Sequence, residues 1–318
     1  MAKASNRAGR SAALPDYAPL LDAYHRAYAA ELAEIVGTLL LRPGDRVLDL
    51  ACGDGFYARL LADLVGASGL VWGLDLSPAW LEYAKLKDYP ARKLEPEYCR
   101  GSATQLPFGD GSFDLVWCAQ SFYSLPDPAA AVREMVRVAR PGGVVGVLET
   151  DTLHQCLLPW PVDLELEVRA AELRAFAAET SRPGKYYVGR RLSAALRAAG
   201  LEHIGEQAWA TTRQAPWSDV DREFLGEYLD NLHRRVRPVL DRAGLARFEA
   251  WLGNAAGQPV VDRPDFATVW LDRLCWGIKP GVLPEQKKTV PRAPGARGAP
   301  EKDPVENRVG TKTPGPGR

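Results

Sequence analysis

The chain predicts an α/β protein: a seven-stranded, mostly parallel sheet with helices on both faces and helical insertions after strands 5 and 6. Three observations carry this. Short apolar strands alternate with amphipathic helices from residue 46 to 149, N-cap and proline pairs open two of those helices, and a glycine turn, Gly53-Asp54-Gly55, joins the first strand to the first helix.

The elements follow in order. "RVLDL" (46–50) reads as the first strand, and the helix behind it presents Tyr57, Leu60, Leu61, Leu64 and Val65 on one face at helical spacing. "LVWGLD" (70–75) is the second strand, after which Ser77-Pro78 supplies a cap and a first-turn proline. A third strand falls near "EYCRG" and a fourth at "FDLVWCA", ahead of Asp127-Pro128 and a helix with Val132, Met135, Val136 and Ala139 on one side. "RPGG" ends that helix before the fifth strand, "VVGVLE". Residues 162–180 carry an apolar stripe of Val162, Leu166, Ala170, Leu173 and Ala177. "EHIGEQAWA" is a sixth strand, a helix with Val220, Phe224, Tyr228, Leu232 and Val236 on one face spans 218–236, and "ATVWLDRLCWGIK" is the last strand.

The expected organisation is an N-terminal helical cap (1–45), a main domain (46–278) with insertions at about 152–190 and 216–256, and a Pro/Gly/basic tail (279–318) without apolar periodicity. The 318 residues carry a formal net charge of +0, so no global field favours nucleic acid or an anionic membrane. Five cysteines form no C-x-x-C pair, which argues against a disulfide framework or a zinc site and for a reducing cytoplasm. No apolar run approaches the roughly 18 residues of a membrane helix. The basic, Ala- and Ser-rich N-terminus lacks the apolar segment of a secretory signal, although a transit peptide shares its composition.

The glycine turn also fits a dinucleotide fingerprint, so the ligand must be argued from charge. Asp49 ends the first strand where a pyrophosphate would sit, and two like charges a few ångström apart cost several kcal/mol at an effective dielectric of about 20. A ligand with an ammonium or sulfonium suits that carboxylate better, and S-adenosylmethionine has both. Asp75, about 20 residues beyond the glycines, stands where a carboxylate accepts hydrogen bonds from ribose hydroxyls.

Four blocks in order, "VLDLACGDG", "GLDLS", "GSATQLPFGDGSFDLVWCAQSFYSLPD" and "ARPGGVVGVLE", resemble the class I S-adenosylmethionine-dependent methyltransferases. The likeness is greatest to the group of ubiquinone and menaquinone biosynthesis C-methyltransferases and small-molecule methyltransferases; it covers roughly residues 40–150, with an echo in "GRRLSAALRAAGL". The resemblance implies a Rossmann-like fold with S-adenosylmethionine as cofactor. By it, Asp49, Ala51, Gly53 and Gly55 line the methionine moiety, while Asp75 and Leu76 hold the ribose and flank the adenine. Ser102 and Ala103 stand where the group has Asp-Ala, so a weaker acceptor meets the adenine. Ala119 and Gln120 lie beside the reacting methyl, and Tyr17, Tyr24 and Tyr28 belong to a segment that folds over the cofactor.

Methyl transfer needs a base only if the acceptor arrives protonated. Asp151, His154 and Glu149, past the fifth strand, are the candidates, and Asp151 and His154 equally fit polar positions in a loop. His25, His203 and His233 read as surface or helix-face residues. Trp160, Tyr186, Tyr187, Trp209 and Trp217 either line an apolar substrate pocket or pack the insertion onto the sheet, and Arg190 and Arg191 either meet an acidic group or start a solvated helix. "AQSF" lacks the Asn/Asp-Pro-Pro-aromatic motif of enzymes that methylate nucleobase amines, which leaves a small organic acceptor as the expected partner. A cofactor-binding protein without catalysis, or a protein or RNA methyltransferase, are the alternative readings.

Overall fold

Two helices, α1 (Ala18–Ala27) and α2 (Ala29–Gly37), precede the first strand. The computed structural model describes residues 13–39, 41–87, 93–180, 183–253 and 259–281, so the expected tail lies outside the described residues from position 282 onward. Then come β1 (Arg46–Leu50), α3 (Phe56–Val65), β2 (Leu70–Asp75), α4 (Pro78–Leu86), β3 (Glu97–Arg100) and β4 (Phe113–Ala119). After these follow α5 (Pro128–Val138), β5 (Ala139–Glu149), β6 (Cys156–Leu157), α6 (Val162–Glu179), α7 (Leu192–Ala198) and β7 (Glu202–Gln214). The described chain closes with α8 (Asp219–Val236), α9 (Arg242–Leu252) and β8 (Ala267–Ile278). Helix starts obey the capping chemistry: the hydroxyl of Ser77 accepts the Trp80 amide and the carboxylate of Asp127 accepts the Ala130 amide, each with proline in the first turn.

The sheet runs β3-β2-β1-β4-β5-β8, with β7 along the other edge of β8. β8 is antiparallel to β5, β6 and β7, whereas the remaining pairs are parallel. Eight strands form rather than the seven expected. The addition is the two-residue β6, where Cys156 and Leu157 pair with Trp270 and Val269 beyond the stretch of β8 used by β5.

Strand alternation distributes the core over both faces. Val47 faces a cluster built with α1, α2, α3, α6, α8 and α9, while Leu48 and Leu50 face the one built with α5 and α7. Trp117, Phe113 and Phe122 are among the largest side chains buried completely, each worth roughly 1.5–3 kcal/mol or more of transfer free energy.

One expected face is reversed. On α6 the stripe Val162, Leu166 and Leu173 points outward at 74%, 67% and 41% exposure, and Leu164, Val168, Ala171, Ala175 and Phe176 turn inward. Both sides of this helix carry apolar residues, so periodicity alone could not choose between them. The inward side also carries Arg169 joined to Glu172 at 2.8 Å, an ion pair that reads as polar in sequence. Among the described residues no helix is long and apolar enough to cross a membrane, and no group of three or more His, Cys, Asp or Glu side chains is arranged to hold a metal.

Gly205, where β7 bulges against β8, lies under the Trp276 ring: a Cβ there would meet the indole at less than van der Waals distance. Gly205→Ala therefore forces a large, buried ring to shift, and a loss of about 1–3 kcal/mol is expected from such overpacking. Urea denaturation of the variant beside the wild type measures it.

Candidate functional site

β1 lies between β2 and β4, so the chain leaves β1 toward one side and returns on the other. Such a switch opens a crevice at the carboxyl ends of the strands. A cavity of about 1050 Å³ occupies it. Two non-glycine residues on its wall, Ala51 after β1 and Gln120 after β4, hold left-handed backbone at φ 56° and 49°, a conformation that costs about 1–2 kcal/mol per residue. Strain of this kind concentrates at sites where the surrounding structure holds the backbone for a ligand.

The turn between them is tied by backbone amides. Gly53 N–H donates to Asp75 Oδ2 at 3.0 Å and Ser77 N–H donates to Oδ1 of the same residue at 2.8 Å. Gly53 has φ 51°, a conformation that favours glycine, and a Cβ there would meet no neighbour closer than Leu21 Cδ2 at 3.9 Å. Asp54, which is 2% exposed, accepts from Lys87 Nζ at 2.8 Å, contacts His25 Nδ1 at 3.0 Å and accepts the Phe56 amide at 3.2 Å. Burial opposes its ionisation, but the His25 and Lys87 contacts outweigh burial and hold its carboxyl well below the usual range.

The expected cofactor residues divide into two groups. Tyr24, Ala51, Gly53, Asp75, Leu76, Ser102, Ala103, Ala119 and Gln120 share the cavity wall, as does Tyr17. Asp49 and Gly55 stand behind the wall. Asp49 points to the face that α3 covers because it alternates with Leu48 and Leu50, and a Cβ on Gly55 would strike Tyr98 Oη at 2.5 Å. Tyr28 is likewise a core residue, packed edge-on and tilted among Tyr24, Phe224 and Trp270. Burial, and then the nearby charge of Asp54, push the Asp49 carboxyl well up.

Three buried polar atoms beneath the turn find no partner among the described residues: Asp49 Oδ2, Tyr57 Oη and His25 Nε2. Tyr57 and His25 reach the cavity wall. Orphaned buried polar groups are rare in folded proteins, and a bound ligand is one way they are satisfied. His25, expected at the surface, is 3% exposed and stacked on Phe56 at 4.2 Å. Its spacing signal on the short α1 was too weak to show this.

The proposed base residues land elsewhere. Asp151 and His154 form an exposed cluster with Arg190, off the cavity wall, His154 Nδ1 lying 3.2 Å from Asp151 Oδ1. The loop turns there before β6, which carries both side chains away from the strand ends. Glu149 is 1% exposed and accepts the Phe122 amide at 2.6 Å, bracing the turn after β4. Of the five aromatics considered for the acceptor pocket, Tyr186 reaches the wall; Trp160, Trp209 and Trp217 pack against the main core instead, and Tyr187 packs against the small cluster of Leu153, Phe176 and Tyr186. Residues that sequence reasoning passed over, among them Tyr123, Phe176, Asn231, Arg234 and Arg235, complete the wall.

Residues 48–147 match the family described as a methyltransferase domain. Among curated proteins, a demethylmenaquinone methyltransferase of Bacillus cereus is 36% identical over 126 residues, spanning 40% of this chain and 52% of that protein. One from Lysinibacillus sphaericus is 29% identical over 180 residues, 54% of this chain and 76% of that protein. The chain thus spans about half the length of the first of these relatives. Among solved structures, the YcgJ protein of Bacillus subtilis superposes with a TM-score of 0.48 and 20% identity, over 80% of this chain and 100% of that one.

Burial lifts the Glu149 carboxyl to about 8, although the amides of Phe122, Ser121 and Thr150 oppose the shift. A raised folded-state value means that the folded form keeps a proton the unfolded form has lost, so this group's stabilisation is present below about 4.5 and drains away as pH rises through about 8. Glu149→Gln keeps an oxygen for the Phe122 amide and removes the titration. Its stability relative to wild type should therefore climb between pH 5 and 8 in chemical denaturation; a pH-independent difference would contradict the assignment.

Proposed function

We propose that the chain, whose residues 48–147 match a methyltransferase domain, is a class I S-adenosylmethionine-dependent methyltransferase that transfers the methyl group of S-adenosylmethionine to a small organic acceptor. The observation that carries the reading is the Gly53-to-Asp75 tie beside the strained Ala51 and Gln120, all on one cavity wall. Each Asp75 oxygen accepts one amide and keeps lone-pair capacity for ribose hydroxyls. The orphaned Tyr57 and His25 atoms, both at the cavity wall, suit an amino acid end, since each can donate to a carboxylate. Ser102 uses its hydroxyl within a local turn, receiving the Thr104 amide at 3.3 Å, so adenine recognition there falls to Leu76, Ala103 and packing.

When bound, S-adenosylmethionine supplies a methyl carbon activated by its sulfonium. The residues of this chain contribute position and exclusion of water. Tyr17, Tyr24 and Leu21 come from the N-terminal segment to the wall, opposite Ala119 and Gln120 at the end of β4. Holding the acceptor in line with the methyl carbon can supply much of the rate without a base. The relatives' named acceptor class, a demethylmenaquinone, supports a planar ring as substrate, and Tyr123, Phe176 and Tyr186 offer an aromatic wall to receive one.

Isothermal titration with S-adenosylmethionine, S-adenosylhomocysteine and NAD tests the reading. Micromolar binding of the first two and none of the third is expected. Asp75→Ala should weaken both at least about tenfold, the scale of a charged hydrogen bond, and Gly53→Val should do so by closing the backbone approach. If both variants bind like the wild type, the site is misassigned.

A further inference from the structure

The cavity wall is electrically polarised along its length. At the glycine-turn end it carries Asp16 and Asp75, besides an Asp54 already paired with Lys87, and its only Arg or Lys side chains among the described residues are Arg234 and Arg235 at the other end. Arg234 is ten residues beyond Phe224, another wall residue on α8, which is about 15 Å along a helix rising 1.5 Å per residue. Phe224 itself packs beside Tyr24, 5.8 Å between tilted rings. The cationic end is thus set well away from the turn that would hold the cofactor.

Arg235 is held rigidly. Its Nη1 donates to the buried Glu172 at 3.0 Å, its Nη2 to Asn231 at 2.8 Å, and its guanidinium lies over the Phe176 ring at 4.9 Å. These contacts use part of its donor set and leave N–H groups for a ligand. Glu172 cannot neutralise it fully, because Arg169 claims the same carboxylate at 2.8 Å, itself also 3.8 Å from Glu165. Arg234 is exposed and has no ion-pair partner among the described residues. The opposing charge on this stretch of wall is Glu179, which accepts from Tyr186 Oη at 2.9 Å. On the wall itself two guanidiniums face one carboxylate, and Glu172, behind the wall, is shared between Arg235 and Arg169, so Arg234 is the cation without a carboxylate of its own among the described residues.

Between this pair and Gln120 lies a ladder of rings. Tyr123 stacks on Tyr186 at 6.1 Å and Tyr186 on Phe176 at 3.8 Å. Burial, helped by Glu179, pushes the Tyr186 phenol up to about 12, so it remains a neutral donor.

Resting on the methyltransferase reading above, we propose that the acceptor is a small aromatic carboxylate, its ring against Tyr123, Tyr186 and Phe176 and its carboxylate on Arg234 and Arg235. Planar guanidinium groups match carboxylate oxygens in paired hydrogen bonds. The anion would also orient the acceptor lengthwise, since its carboxylate is repelled by the acidic end and drawn to the basic one. In the transfer the acceptor's nucleophilic atom gives its electron pair to the methyl carbon and the carbon–sulfur bond breaks toward sulfur. A proton carried by that atom leaves to water.

The test uses the full chain saturated with S-adenosylhomocysteine and titrates hydroxybenzoates and hydroxynaphthoates beside their primary amides. The carboxylates should bind at least about tenfold more tightly than the amides, Arg234→Gln should bring the two to near parity, and Glu179→Gln should tighten carboxylate binding several-fold. Equal affinity of acid and amide, no carboxylate binding, or an Arg234→Gln protein that keeps the preference would each overturn the proposal. Failure of S-adenosylhomocysteine to bind at all would instead overturn the cofactor reading, so the two failures are told apart.

Discussion

The buried carboxylate of Asp54 is the contact on which the site depends. It sits inside the glycine turn and draws a partner from each side: His25 from α1 and Lys87 from the end of α4. Lys87 also pairs with Asp22 at 2.6 Å, which joins the second turn of α1 to the same cluster. An ion buried this deeply needs partners, and removing one from such a pair typically costs about 3–5 kcal/mol because the remaining charge is stranded. The N-terminal helix is therefore held against the turn. That contact is what brings Tyr17, Leu21 and Tyr24 to the cavity and makes a wall of a segment that would otherwise pack on the outside of the sheet.

A second constraint acts through the backbone. Ala51 and Gln120 occupy left-handed conformations at the ends of adjacent strands, and neighbouring hydrogen bonds hold them there. Gln120 N–H donates to Leu148 O at 2.7 Å, Ser121 Oγ donates to Ala119 O at 2.8 Å, and Glu149 receives the Phe122 amide. The turn after β4 is thus fixed from β5, and the turn after β1 is fixed from β2 through Asp75. The site is shaped by strands on both sides of the crevice rather than by the loops alone. Tyr24 extends the frame further, donating its hydroxyl to Asp272 on β8 at 2.8 Å, where burial lifts the carboxyl to about 6.

The alternation of strands and helices over residues 46–149 was legible because strand residues return to the same side every second position and helix residues every three or four, so Val47, Leu48 and Leu50 or Tyr57, Leu61 and Val65 announce their faces without help. Wherever an element carries apolar residues on two sides, that signal is ambiguous. On α6 the outward Val162, Leu166 and Leu173 read as the core, while the true inward face hides a charged pair, Arg169 and Glu172, that only mutual neutralisation makes tolerable to bury. β6 escaped notice for a different reason: two residues form a strand only because β8 runs past them.

The places of the glycine turn, Asp75, Ala119 and Gln120 at strand ends on the cavity wall could be read from the sequence because strand ends at a topological switch are local in the chain. The cluster of His25, Asp54 and Lys87, and the wall of Tyr123, Phe176, Tyr186, Arg234 and Arg235, draw on segments far apart in the chain. No local pattern encodes such meetings. The sequence by itself determined the order of elements, the glycine turn and the acidic residue that steadies it. The tertiary structure decided which charges are buried, which face of α6 is solvated, and that Asp151 and His154 stand off the wall while two arginines stand on it, because burial and ion pairing are properties of distance in space.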